Sequence, residues 1–248
     1  MVVNDERREK QFLRGCLARV EKKIGEQKVF DENDKVFVSG VIEEKLEFSH
    51  QAMFERFYKT RVKVIRASGI EDLVPIIVSE SLIGDKTTIV GKFVEVAGQL
   101  RTCNIKDKKG KRHLDVFVFV RWLETYNNEE EMEEKRKNQV YLNGFVVKEP
   151  IYRETPNGRE ISDVVIAVNN RYGKSAYIPC IIWGRYARYA RDRFYVGDNI
   201  QLYGRFQSRE YFKYENGNTE KKVRKIAYEV SVISIANITD KDFYDKEE

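Results

Sequence analysis

Between Tyr177 and Trp183 the chain alternates apolar and exposed positions: Ile178, Cys180 and Ile182 fall on one face of an extended strand, Tyr177 and Trp183 on the other. The first face suits a core, and the second turns two large rings outward. Downstream, between Gly197 and Tyr214, Ile200 and Leu202 alternate inward, while Arg205, Arg209, Tyr211 and Lys213 share the odd-numbered face. The same period of two recurs from Lys35 onward in short runs broken by turns, which predicts a mainly β chain. In the second half, strands are expected at roughly 139–148, 160–169, 175–183, 198–213 and 223–235. Asn157-Gly158 and Asn216-Gly217 supply the turns, and Arg185 to Phe194 is the one short helix. Upstream the period changes to that of a helix. Residues 5–24 are predicted to form an amphipathic helix capped by Asn4 or Asp5, with Leu13, Leu17, Val20 and Ile24 on one stripe and Gly25 as its stop. Such a stripe packs on its own domain or pairs two chains.

The strand pattern occurs twice. Val36-Phe-Val-Ser-Gly40 matches Val140-Tyr-Leu-Asn-Gly144 at an offset of 104, and Pro75 matches Pro179 at the same offset. After a two-residue adjustment Gly91 matches Gly197 and Gly98 matches Gly204. An ordered set of landmarks with so little drift marks an internal duplication. Each copy has five strands with one helix between the third and fourth, the order of the oligonucleotide-binding (OB) fold, a Greek-key barrel. The expected division is an N-terminal helical segment (1–34), a first barrel (35–124), a charged linker (125–138), a second barrel (139–236) and an acidic tail (237–248).

Composition changes the picture in three ways. No apolar run approaches the roughly 18 residues that span a bilayer, and Met1 to Lys10 is charged, so a cytoplasmic chain without a secretory signal is expected. Cys16, Cys103 and Cys180 are few and far apart, and His50 and His113 have no partners at ligand spacing, so neither a disulfide framework nor a metal site is indicated. Without a glycine-rich phosphate loop or a nucleophile elbow, no enzyme and no cofactor are expected. The net charge of +5 is unevenly spread: residues 139–236 hold 16 Lys and Arg against 10 Asp and Glu, together with 11 of the 14 tyrosines. Rings and cations interleaved on one sheet surface suit a single-stranded nucleic acid, because rings stack on unpaired bases and cations follow the phosphates.

At the residues Asn138-Gln-Val-Tyr-Leu-Asn-Gly144, Tyr152-Arg-Glu-Thr-Pro-Asn-Gly158, Tyr177 to Trp183 and Val196 to Arg209, the second copy resembles the bacterial-type single-stranded-DNA-binding proteins. The resemblance covers about 100 residues, and reaches the first copy only through the second. It implies base stacking on Tyr172, Tyr177, Trp183 and Tyr211, and it makes Arg153, Arg159, Arg171, Lys174, Arg205, Arg209 and Lys213 the candidate phosphate contacts. It also implies a homodimer presenting four barrels, acting in DNA replication, repair and recombination, with replication or repair proteins as further partners.

The first copy departs from that pattern. Its core face is kept as Val74, Ile76 and Val78, but Leu73, Ser79, Ser68 and Ile105 stand where Tyr177, Trp183, Tyr172 and Tyr211 stand in the second. A barrel without a stacking platform is expected there, although His50 to Tyr58 offers rings from a different element. The C-terminus, Thr239 to Glu248, is acidic but lacks the Pro-Phe ending through which family members recruit partners. Two other functions fit the same residues: single-stranded RNA binding, since stacking does not read the 2′-hydroxyl, and a protein-interaction scaffold such as a replication-restart accessory.

Overall fold

The computed structural model describes residues 32–84, 89–106, 110, 112–126, 137–170, 172–215 and 218–239, without the side chains of 213–222. The predicted N-terminal helix, most of the linker and the end of the tail lie outside these residues. Six strands make up the first half: β1 (Asp34–Ile42), β2 (Glu47–Ala52), β3 (Glu55–Ile65), β4 (Glu71–Ser79), β5 (Phe93–Lys106) and β6 (Arg112–Tyr126), with the one-turn helix α1 (Glu80–Ile83) after β4. The second half repeats them as β7 (Asn138–Val146), β8 (Ile151–Glu154), β9 (Glu160–Asn169), β10 (Ser175–Trp183), β11 (Asn199–Glu215) and β12 (Asn218–Asn237), with α2 (Arg185–Arg193) after β10.

In each half five strands close on themselves. The first ring runs β1-β3-β4-β6-β5 and returns to β1; the second runs β7-β9-β10-β12-β11 and returns to β7. These are two tandem OB-fold barrels. Each barrel has the expected five strands, and each half adds a sixth that the sequence did not mark, β2 or β8, which hangs outside the ring as a hairpin arm on β3 or β9. Pattern reading misses it because all of β2 and most of β8 lie on the surface, without an apolar face to mark them. Each barrel interior is filled by the alternating β-branched and leucine positions. Val36, Val38, Val74, Ile76, Val94, Val96 and Val118 line the first; Val140, Leu142, Ile166, Ile178, Ile182, Leu202 and Val230 line the second, with Cys180 among them. Burial pushes the Cys180 thiol well above its ordinary pKa, so it packs as a small hydrophobe.

The duplication holds at the level of hydrogen bonds. Val36 faces Gly98 across β1 and β5, and Val140 faces Gly204 across β7 and β11. A bulge precedes each of these glycines. The single parallel pairing in each barrel joins Ile76 to Val118 and Cys180 to Val230. Gly98 and Gly204 are conformationally required for a simple reason: a Cβ there would collide with the carbonyl oxygen of Phe119 or Ser231.

The two barrels stand edge to edge in one 12-stranded sheet, because β1 pairs with β7 in antiparallel register, Val36 opposite Val140. Equivalent residues thus face each other across a local two-fold relation. Two further bonds repeat it: the Leu73 backbone N–H donates to Ser208 Oγ (3.1 Å), and the equivalent Tyr177 N–H donates to Thr102 Oγ1 (3.2 Å). The pair of copies is built like an isologous dimer on one chain.

Candidate nucleic-acid interface

The outer face of the second barrel carries the residues singled out in the sequence. Trp183 closes β10, and its indole Nε1 donates to Ser231 Oγ (3.1 Å) on the parallel neighbour β12. The ring is half-buried, which corrects the reading of β10 as turning two fully outward rings to solvent. Tyr177, six residues earlier, is 50% exposed. Its backbone is tied to the first barrel through Thr102. Tyr172 is 72% exposed in the tight β9–β10 turn, where Asn170 Oδ1 accepts from the N–H groups of Tyr172 (2.9 Å) and Lys174 (3.0 Å). That side-chain-made turn fixes the backbone under an otherwise unsupported ring.

The cations divide into three groups. Arg159, Arg205 and Arg209 line a cleft of about 920 Å³ together with Trp183. Arg209 is held from behind: its Nε and Nη2 donate to Glu229 Oε1 (2.9 Å) and Oε2 (3.1 Å), and Gln207 Nε2 donates to the same Oε1 (3.1 Å). The bond to this buried carboxylate raises the Arg209 pKa further, against the cost of its own burial. The guanidinium lies 5.9 Å from the Tyr211 ring centre, within cation–π range, and so links the cleft to that ring. Arg153 stands away on β8 in an exposed pair with Asp163 (2.9 Å). Lys174 sits in the Tyr172 turn. Arg171 and the Lys213 side chain lie outside the described residues.

Sequence reasoning missed Phe212 and the first barrel's wall of the cleft, and it named the rings of His50 to Tyr58 only as a stretch. Phe212, on the opposite face of β11 from Tyr211, is 66% exposed, although Ile200 and Leu202 earlier on the same strand are fully buried. In the first barrel the tip of the β2–β3 hairpin holds Met53 and Phe54 almost wholly exposed, both in left-handed backbone conformation. His50 stacks on Phe57 along that arm, with ring centres 4.8 Å apart. The first barrel's wall of the cleft, from Lys63 to Leu73, gave no signal in the sequence because it belongs to the other copy. Among the described residues no cluster of His, Cys, Asp and Glu could hold a metal ion, and no helix is long and apolar enough to cross a membrane.

Comparison with known proteins places this geometry. The model of the Single-strand binding protein family matches residues 137–233, the second barrel. The single-stranded DNA-binding protein of Clostridium tetani is 29% identical over 106 residues, which cover 40% of this chain and 72% of that one. Its counterpart in Oceanobacillus iheyensis is 34% identical over 88 residues, covering 33% of this chain and 54% of that one. The crystal structure of wild-type single-stranded DNA binding protein from Thermus aquaticus superposes with a TM-score of 0.64 over 84% of this chain and 93% of that one, at 17% identity. The last likeness concerns the fold and reaches both barrels. The family match thus lies on the second barrel, and the likeness in two-barrel architecture extends over most of the chain.

Proposed function

We propose that the protein binds single-stranded DNA with little regard to sequence, in DNA replication, repair and recombination. The observation that carries this reading is the outer face of β10 and β11. There Trp183 shares a cleft with Arg159, Arg205 and Arg209 among its cations, and exposed tyrosines stand at either side, inside the region that matches the family. Bases stack on Tyr172, Tyr177, Trp183 and Tyr211, and stacking tolerates any sequence because every base has a π face. Arg159, Arg205 and Arg209 follow the phosphates beside Trp183, and Lys174 does so beside Tyr172. Arg153, bound to Asp163, exchanges one carboxylate partner for another anion. The working form is a cytoplasmic homodimer with four barrels, open to replication or repair proteins as partners.

Titration of a thymidine oligomer, followed by tryptophan fluorescence, tests the reading. Trp183 reports binding, while Trp122, buried against Phe37 with ring centres 6.4 Å apart, stays nearly silent. Single strands release about 0.7 counterions per phosphate neutralised, so a log–log salt slope of roughly −2 to −4 is expected. Duplex DNA of equal length should bind far more weakly, because pairing hides the base faces. A slope near zero, or equal affinity for duplex, rejects the reading, and a uridine oligomer bound more tightly than thymidine reassigns the substrate to RNA. Light scattering of the free protein reports the dimer.

A further inference from the structure

The geometry assigns the first barrel a direct part in binding: it supplies the second wall of the cleft over Trp183, so that a single strand lying there is clamped between the two copies. This rests on the reading of the second barrel as the stacking platform and extends the site across the barrel junction. The cleft is lined from one side by Trp183, Arg159, Arg205 and Arg209 and from the other by Lys63, Arg66 and Ile70. Its volume of about 920 Å³ lies near the upper end of the roughly 300–1,000 Å³ range of ligand clefts, enough for an extended ligand. Lys63 bonds Glu43 (2.9 Å), a carboxylate still 40% exposed, which a phosphate can replace as its partner. Arg66 is fixed by two 2.6 Å bonds to the buried Asp72, made through Nε and Nη2.

The internal repeat provides the control. The registers that match Lys63 opposite Leu73 with Ala167 opposite Tyr177, and Phe57 opposite Ser79 with Ile161 opposite Trp183, define the equivalent positions on the other side of the local two-fold. There Trp183 is replaced by Ser79. Lys63, Arg66, Arg159, Arg205 and Arg209 are replaced by Ala167, Asn170, Glu55, Gln99 and Cys103. Those five cations become neutral or acidic in the other cleft and the ring is lost with them, while Arg224 keeps a cationic counterpart in Arg112, and Ile70 and Ile233 give way to Lys174 and Arg121. Nothing in the barrel architecture demands this, since both copies keep the same strands, glycines and junction bonds. Cations from both barrels meet a tryptophan on one side of the junction only, the combination that a stacked polyanionic strand requires.

The test uses the full chain, a thymidine oligomer and a salt series. Lys63→Glu should weaken binding about tenfold, and its salt slope should fall in magnitude by about 0.7, the loss of one phosphate contact. Ile70→Lys adds a cation at a half-exposed position on the same wall and should tighten binding about threefold with a steeper slope. Arg112→Glu, placed where Arg224 stands in the basic cleft, should change neither quantity. Far-UV circular dichroism checks each fold, and Ile70→Lys decides the matter if Lys63→Glu misfolds. If both first-barrel variants bind as wild type while Tyr177→Ala weakens binding, the shared cleft is overturned and the second-barrel platform stands. If the wild type fails to bind at all, the platform itself is wrong.

Discussion

At the scale of single residues, Trp183 and Tyr177 look alike in the strand alternation and differ in the structure. Tyr177 is half exposed and its hydroxyphenyl ring is not needed by the core. Trp183 is half-buried and donates its indole N–H to Ser231, so part of its ring serves the barrel wall. Tyr177→Ala should therefore cost roughly 1–3 kcal/mol of binding, the usual loss per stacked base, with little change in melting temperature. Trp183→Ala should lose a similar amount of binding and also about 2 kcal/mol of stability, below the 3–5 kcal/mol of a fully buried ring. Trp183→Phe should recover most of the stability. Titrations at fixed salt and a thermal melt for each variant separate the two costs. A Trp183→Ala protein that melts like wild type would show that the half-burial has no structural role.

At the scale of elements, four of the glycines that marked the repeat in the sequence are places where two strands approach too closely for a side chain, while Gly91 and Gly197 serve by their positive φ. A Cβ at Gly40, Gly98, Gly144 or Gly204 would overlap a carbonyl oxygen of the strand opposite. Gly98→Ala and Gly204→Ala should each destabilise the fold by roughly 1–3 kcal/mol, the range for overpacking a well-packed site. Binding by the folded fraction should survive, since neither position belongs to the cleft. Denaturant titration measures the loss, and a mutant as stable as wild type would mean that the bulge can relax around the methyl group. These landmarks were legible because sterics leave glycine alone at such positions. The arms β2 and β8 were not, since a solvent-facing hairpin leaves no hydrophobic period behind.

At the scale of the molecule, the junction between the barrels is made of backbone pairing and a buried charge. Besides the β1–β7 ladder, Asp72 is fully buried, accepts both bonds from Arg66 and takes the Ser208 N–H (2.9 Å) from the other barrel. Removing one partner of such a pair strands the other without compensation. Asp72→Ala should cost roughly 3–5 kcal/mol. Because β1 is shared by its own barrel and the junction, wild type should unfold in one transition, with tryptophan fluorescence and far-UV circular dichroism coincident. Two separated transitions in wild type would show that the barrels fold as independent units.

What the sequence by itself determined was local or repeated. The alternation in β10 and β11, the paired glycines, the short helix after the third strand of the five-strand motif and the ring-bearing face of the second copy were all visible as spacing, because a period of two and a steric demand act within one strand or between neighbours. What only the tertiary structure decided depended on pairs of residues distant in the sequence, from 20 positions apart for Arg209 and Glu229 to 136 for Asp72 and Ser208. The strand β1 carries the same apolar pattern whether its open edge meets water or β7, so the joined sheet was invisible. The meeting of Lys63 and Arg66 with Trp183 follows from that joining, while the pairing of Arg209 with Glu229 and the bond from Trp183 to Ser231 come from strand neighbours inside the second barrel. A charge in the sequence has a sign but no neighbours, and it is the fold that set Lys63 and Arg66 of one barrel opposite Trp183 of the other.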